Sequence, residues 1–203
     1  MDRERLDQQF EFIKEIDKEK FIQRQTRLSD NVRRENDAEH AWHMAIMKVL
    51  LSEYANEKID VLRTVTMLLI HDIVEIDAGD TYAYDEEGLK TQCERECRAA
   101  DRIYALLPKD QQKKLRDIWE EFETGETPEA KFAHTMDNLQ PAMLNAVNNG
   151  VSWKEHGIAI SQIMKRNAHT AEGSQVLWDY AYENFFKKNF DDGNILDDSK
   201  KTY

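Results

Sequence analysis

VLRTVTMLLIHDIVEIDAGD, residues 61–80, carries the reading of the fold. Its first half is apolar almost all round, as a helix in the middle of a bundle is. It is also rich in Val, Thr and Ile, so periodicity alone leaves a strand open. Asp60 is suited to cap a helix over residues 61–74. The segment then ends on His71, Asp72 and Glu75, spaced so that on a helix all three lean towards one point. A charge pair at the end of an apolar segment is costly unless it is paired or bound to a metal. Imidazole and carboxylate together suit Mn, Fe, Co, Ni or Zn, and Mg more weakly. Taken alone, the His-Asp pair reads first as a helix C-terminus, where a histidine meets the negative end of the dipole.

The flanking sequence favours helices. Only 7 Gly and 3 Pro occur in 203 residues, and long helices tolerate few of either. Leu6, Phe10, Ile13 and Ile16, then Phe21 and Ile22, predict a first helix. A polar connector, RLSDNVRREND, follows. Ala41, Met44, Ala45, Met47, Val49, Leu50 and Leu51 predict a buried helix over residues 38–54, with Asp37 as its N-cap. Residues 76–85 read as a loop, and residues 86–107 as a helix. Pro108 opens a helix that ends near Thr124 and Gly125, and Pro128 starts another reaching Asn148, with Gly150 beyond it. Ser152 and Glu155 have capping-box spacing for a helix over residues 153–166. A last helix spans residues 174–188. The expectation is an all-α bundle: one domain over residues 1–190, and a frayed polar tail over residues 191–203.

The bulk numbers limit function. Hydrophobic residues make up 40%, enough for a core, and the formal net charge is −12. Such a surface repels a nucleic-acid backbone, so long nucleic acid is not an expected partner. A phosphate-bearing ligand would have to be held locally, by a metal or a few arginines. Cys93 and Cys97 sit four apart on one predicted helix. They lack further ligands nearby for zinc, and they read as ordinary half-buried residues rather than a disulfide framework. MDRERLDQQF contains no apolar h-region, and the longest apolar run, MLLI at residues 67–70, is far too short for a bilayer. The expected location is cytoplasmic, with no membrane association.

Two more segments carry candidate ligands. In ENDAEHAWH, residues 35–43, His40 and His43 are both available, or both are surface histidines near a helix start. In AHTMDNLQPAM, residues 133–143, Asp137 lies among Phe132, Met136, Leu139 and Met143. It needs a partner there unless it faces solvent. His134 shares its face as a weaker candidate.

His, then His-Asp, then a distant Asp, each on its own predicted helix, resembles the HD-domain superfamily of metal-dependent phosphohydrolases. The matching residues are His40, His71, Asp72 and Asp137, with 31 positions from His40 to His71 and 65 from Asp72 to Asp137. RQTRLSDNVRRENDAEHAWH and LLIHDIVEIDAGDTYAYD are similar to the branch containing the 5′-deoxynucleotidases, over residues 10–180. The resemblance implies an HD-domain helical bundle holding one divalent metal ion on those four residues. It also implies that Glu75 orients or deprotonates the attacking water, rather than only orienting a ligand, and that Asp80 acts near the leaving group or sugar. Asp77 and Asp85 share that loop and are not ranked below Asp80. Arg24 resembles the phosphate-holding arginine, one residue out of the family spacing, with Arg27, Arg33 and Arg34 as rivals. Gln25-Thr26 stands where relatives often carry Trp or Gly, which bears on base or sugar recognition.

The implied activity is hydrolysis of a small phosphate monoester, a deoxyribonucleoside 5′-monophosphate in particular. A cyclic nucleotide, dinucleotide, nucleoside triphosphate or non-nucleotide phosphate would use the same site. A non-catalytic metal-binding sensor leaves Glu75 and the loop acids without a role. A metal-free helical interaction protein leaves the buried acids without one. Trp153, Trp178, Tyr180, Tyr182, Phe185 and Phe186 are expected in the core, with a share available for a homodimer interface.

Overall fold

The computed structural model describes residues 3–199. The protein is all-α, with one short hairpin. Helix α1 (Arg3–Ile16) runs into a 3₁₀ turn (Asp17–Phe21). It buries Phe12, while Leu6, Phe10 and Ile13 stay exposed along its other side. The expected polar connector is a hairpin of β1 (Gln23–Arg27) and β2 (Arg34–Asn36). Asn31 takes the left-handed conformation in its loop, which Asn tolerates better than most residues. Asp30 accepts from the Val32 amide at 3.0 Å. The Ser-Asp-Asn run was the available turn signal.

Helix α2 (Asp37–Leu51) starts one residue earlier than Asp37 as its cap requires. Asn36 accepts from the Glu39 amide at 2.9 Å, and the Glu39 carboxylate accepts from the Asn36 amide at 3.2 Å. Asp37 is thereby freed from capping and is fully buried. Helix α3 (Val61–Ile70) has its predicted Asp60 cap but stops short of residue 74. The chain tightens into a 3₁₀ turn (His71–Val74) and a single turn, α4 (Glu75–Ala78), ended by Gly79 at φ 76°. The Tyr104 hydroxyl takes the Ile70 carbonyl at 3.2 Å, satisfying an oxygen near the helix end.

Asp85 caps α5 (Glu86–Tyr104). Helix α6 (Lys109–Thr124) follows Pro108 and ends on left-handed Gly125. Helix α7 (Pro128–Val147) has Thr127 as its cap. The helix expected over residues 153–166 is broken. Helix α8 (Val151–Glu155) follows left-handed Gly150, the chain turns at Gly157 (φ 60°), and α9 (Ile160–Arg166) resumes. Ser152 is buried rather than capping. Then come α10 (Thr170–Gly173), α11 (Gln175–Ala181) with Ser174 as its cap, a wide π turn (Tyr182–Lys187) and α12 (Lys188–Asp191).

Part of the expected frayed tail is docked. Ile195 is buried, and the Leu196 carbonyl accepts from the Ile160 amide at 2.9 Å. Residues 200–203 of that tail lie outside the described residues.

Helix α7 is the hub: α2, α3, α6, α10 and α11 all pack on it, and α2 and α3 pack on each other. Helix α10 approaches closely because residue 173 is glycine. A methyl group there would collide with the Lys131 carbonyl and the Thr135 hydroxyl. Gly173→Ala is therefore expected to lower stability by about 1–3 kcal/mol, the usual cost of overpacking. An unchanged urea midpoint would show that α10 is not seated this tightly on α7.

Candidate active site

Because α2, α3 and α7 pack mutually, one side chain from each can meet at a point. His40 comes from the first turn of α2, His71 and Asp72 from the 3₁₀ turn that follows α3, and Asp137 from the middle of α7. Nitrogen or oxygen atoms of His40, His71 and Asp72 lie within 4.8 Å of one another. Asp137 Oδ1 is 3.1 Å from His40 Nε2 and 4.0 Å from His71 Nε2. The two imidazole rings are 5.9 Å apart.

Both rings are aimed by bonds on their far side. His40 Nδ1 donates to Gln140 Oε1 at 2.9 Å, and Gln140 Nε2 donates to Glu35 Oε1 at 2.6 Å. His71 Nδ1 donates to the Leu68 carbonyl at 3.1 Å. In each ring Nε2 is left facing the cluster, the arrangement that orients a ligating histidine. The edge of Phe122 closes one side of His71, at 4.8 Å between ring centroids. Pro141 lacks the N–H that would bond the Asp137 carbonyl, so the helical ladder is open at the residue that faces the cluster.

The acids around this point are of two kinds. The Asp72 carboxyl is held down to about 2: burial opposes ionisation, but His71 and Arg24 outweigh it. Asp137 is likewise depressed against burial, by His40 and Arg166. Glu75, by contrast, is pushed well above the carboxylate range by burial and by its neighbours Asp72 and Asp37. Asp37 rises to about 7 through burial and Asp72, and Glu19 rises to about 7 through burial and the same Asp72 charge. His71 rises to about 9, because Asp72 and Asp137 outweigh the burial that disfavours its cation.

Several of these groups lack hydrogen-bond partners among the described residues: His71 Nε2, Asp37 Oδ2, Glu75 Oε2 and Glu35 Oε2. His71 Nε2 is 3.0 Å from Asp72 Oδ1 but is not aligned to bond it. Buried polar atoms left this way are satisfied by a bound ion or water, and two imidazoles with carboxylates form a donor set that divalent cations accept. His40, His71, Asp72 and Asp137 could hold one. Asp37, Asp72 and Glu75 form a second close oxygen cluster beside it.

The structure places the alternative residues differently. Arg24 Nη1 meets Asp72 Oδ2 at 2.8 Å and Asp37 Oδ1 at 3.3 Å. An irregularity in the β1–β2 pairing between Gln23 and Arg27 accompanies this, and such bulges re-aim side chains. Arg27 pairs with Glu155, and Arg33 with Glu39. Asp80 lines the cavity over the cluster, where burial and Asp72 raise its carboxyl despite the nearby Arg24. Asp77 pairs with Arg102, and Asp85 caps α5. His43 Nδ1 accepts from Gln140 at 3.1 Å, and His134 donates to the Phe122 carbonyl at 2.8 Å. Neither joins the cluster. Cys93 and Cys97 are free.

Sequence reasoning missed Gln140, Glu35, Asp37 and Arg166. Glu35 and Asp37 were read only as helix-start residues, while Gln140 and Arg166 resemble surface polar residues in any helical pattern. The cavity, about 220 Å³, is just under the scale of ordinary small-ligand pockets, roughly 300–1,000 Å³.

The chain belongs to the HD domain family, whose model matches residues 16–178. It is similar to a crystal structure of a predicted metal-dependent phosphohydrolase from Magnetospirillum magnetotacticum. That protein is 45% identical, has a TM-score of 0.90, and the likeness covers 95% of this chain and 96% of that one. The 5′-deoxynucleotidase HDDC2 of Homo sapiens is 30% identical over 131 residues, 64% of this chain. That of Danio rerio is 28% identical over 136 residues, 66% of each chain. The match spans 63% of the human relative's length.

Without a cation, Glu19, Asp37 and His71 hold protons that the unfolded chain has lost. Between about pH 5 and 9 the folded state therefore binds more protons, and stability falls as pH rises. The melting temperature of chelator-treated protein is expected to decline from about pH 5.5 to about pH 8.5. Added Mn should raise it most at the upper end, where the cation replaces protons. A profile that is flat, or that rises with pH, would contradict this charge arrangement.

Proposed function

We propose that the protein is a metal-dependent phosphohydrolase acting on small phosphate monoesters, with deoxyribonucleoside 5′-monophosphates as the preferred class. The observation that carries this reading is the cluster of His40, His71, Asp72 and Asp137 beneath a cavity that also presents Arg24, Glu75 and Asp80. The similarity to proteins named 5′-deoxynucleotidase supports the substrate class.

His40, His71, Asp72 and Asp137 would hold one divalent ion. When bound, it supplies charge stabilisation to the phosphoryl oxygens and acidifies water. Arg24 offers its guanidinium to phosphate oxygens, while Asp72 and Asp37 keep it oriented. Glu75, with its affinity for a proton raised, is suited to accept one from the attacking water. Asp80, which lines the same cavity, would return a proton to the departing sugar oxygen. A chain of net charge −12 suits a small substrate rather than long nucleic acid. No helix among the described residues is long and apolar enough to cross a membrane.

A homodimer is also proposed, and it uses a different face from the C-terminal aromatics. Of those aromatics Trp153 and Phe186 are core, while Tyr180 and Tyr182, expected there too, are exposed. Phe10 and Ile13 on α1, Trp42, Val49 and Leu50 on α2, and Leu62 on α3 are exposed, at 63% for Trp42, 67% for Leu50 and 75% for Leu62. Helix α2 packs on α3, and α1 borders α3 across a groove lined by Phe10, Ile13 and Leu62. The exposed parts of these six side chains amount to roughly 800 Å², about what one partner contributes to a standard interface. An apolar face of this size suits a second copy of this chain.

Wild-type protein is expected to release phosphate from deoxyribonucleoside monophosphates with Mn, Co or Mg. Asp72→Ala should abolish release, and Glu75→Gln should lower kcat by about 10²–10⁴-fold. No release from any monophosphate by metal-loaded protein would sink the reading. For the dimer, light scattering should give twice the chain mass for wild type and the single-chain mass for Leu50→Arg. A monomeric wild type would refute it.

A further inference from the structure

Two guanidinium groups line the cavity, and they are held differently. Arg24 is mostly buried, its side chain 14% exposed, and is shared between two carboxylates. Arg166, the last residue of α9, touches Asp137 Oδ2 through Nη2 alone, at 3.2 Å, and its side chain is 41% exposed. No other hydrogen bond to its guanidinium is formed among the described residues. An arginine has five N–H donors in a planar fork that matches phosphate oxygens. Most of that fork is therefore unused and accessible from the cavity mouth.

Asp137 sets its position. Its Oδ1 faces His40 and His71, and its Oδ2 faces Arg166. Arg166 thus stands one carboxylate's width from the cluster, on the open side. An arginine needed only to steady Asp137 would gain from burial and a two-pronged bond; this one has neither. The charge balance points the same way. Asp72, Glu75, Asp80, Glu96, Glu123 and Asp137 line the cavity, against Arg24 and Arg166 as its two arginines. A phosphate monoester carries close to two negative charges. Arg24 spends only Nη1 on Asp72 and Asp37, so both guanidinium groups keep free N–H donors, and those of Arg166 are the more exposed.

Resting on the proposed function, we infer that Arg166 is a second substrate-holding cation of this site. Its free N–H groups take non-reacting oxygens of the phosphate, while Nη2 keeps contact with Asp137. It holds the substrate from the cavity mouth, and Arg24 holds it from the buried side.

The test is calorimetric binding of inorganic phosphate to Mn-saturated protein, comparing wild type, Arg166→Gln and Arg166→Lys, with Mn affinity measured separately for each. Arg166→Gln is expected to weaken phosphate binding by about tenfold or more while Mn affinity stays near that of wild type. Arg166→Lys should recover part of the loss, since it keeps the charge without the fork. Unchanged phosphate affinity at saturating Mn overturns the inference. So does a loss confined to Mn affinity, which would make Arg166 a positioning residue for Asp137. A wild type that binds no phosphate overturns it too. Arg166-dependent phosphate binding by a protein that hydrolyses no monophosphate would instead remove the proposed activity and leave this role intact.

Discussion

Ionised side chains persist in a protein interior only where each meets opposite charge or a cation, and the centre of this protein is organised by that constraint. His40 and Asp37 are wholly buried, and His71 and Glu75 nearly so. Asp72 and Asp137 share their negative charge with two histidines and two arginines. Three helices cross where these residues sit. Removing one partner would leave an uncompensated buried charge, so packing of α2, α3 and α7 and completion of the site are one event energetically.

The surrounding structure serves that centre through oriented hydrogen bonds rather than through bulk. Gln140 and the Leu68 carbonyl fix which nitrogen of each histidine faces inward. The early end of α3 at Ile70 matters for the same reason. Continuing the α-helix to residue 74 would keep His71 on the ladder's regular phase. The 3₁₀ turn instead lets His71 and Asp72 address the same point while Glu75 begins a new turn beside them.

The electrostatics divide the acids into two kinds. Asp72 and Asp137, next to cations, stay ionised and suit metal binding. Glu75, Asp80 and Asp37, removed from water and crowded by like charge, hold a proton more readily than an ordinary carboxylate. Carboxyls with separated proton affinities within one cavity are the arrangement that acid–base chemistry uses. A chain of net charge −12 that is to bind an anion depends on such a local reversal of charge.

Read from the amino-acid sequence alone were most of the helices, the cap at Asp60 and the stops at Gly125 and Gly150, while the candidate set His40, His71, Asp72 and Asp137 came from the family resemblance of its motifs. These are matters of local spacing: a cap bonds an amide two or three residues away, and a motif reads along one chain. Tertiary structure alone decided the rest. Asp37 was a cap by its neighbours, yet the Asn36–Glu39 pair capped the helix and released Asp37 to the interior. Arg24 was one of four arginines until the hairpin, itself hidden in a polar stretch, aimed it at Asp72. Gln140, Arg166 and the docked Ile195 had no local signal. Each owes its role to what a distant element sets opposite it, and the chain's periodicity does not encode that partner.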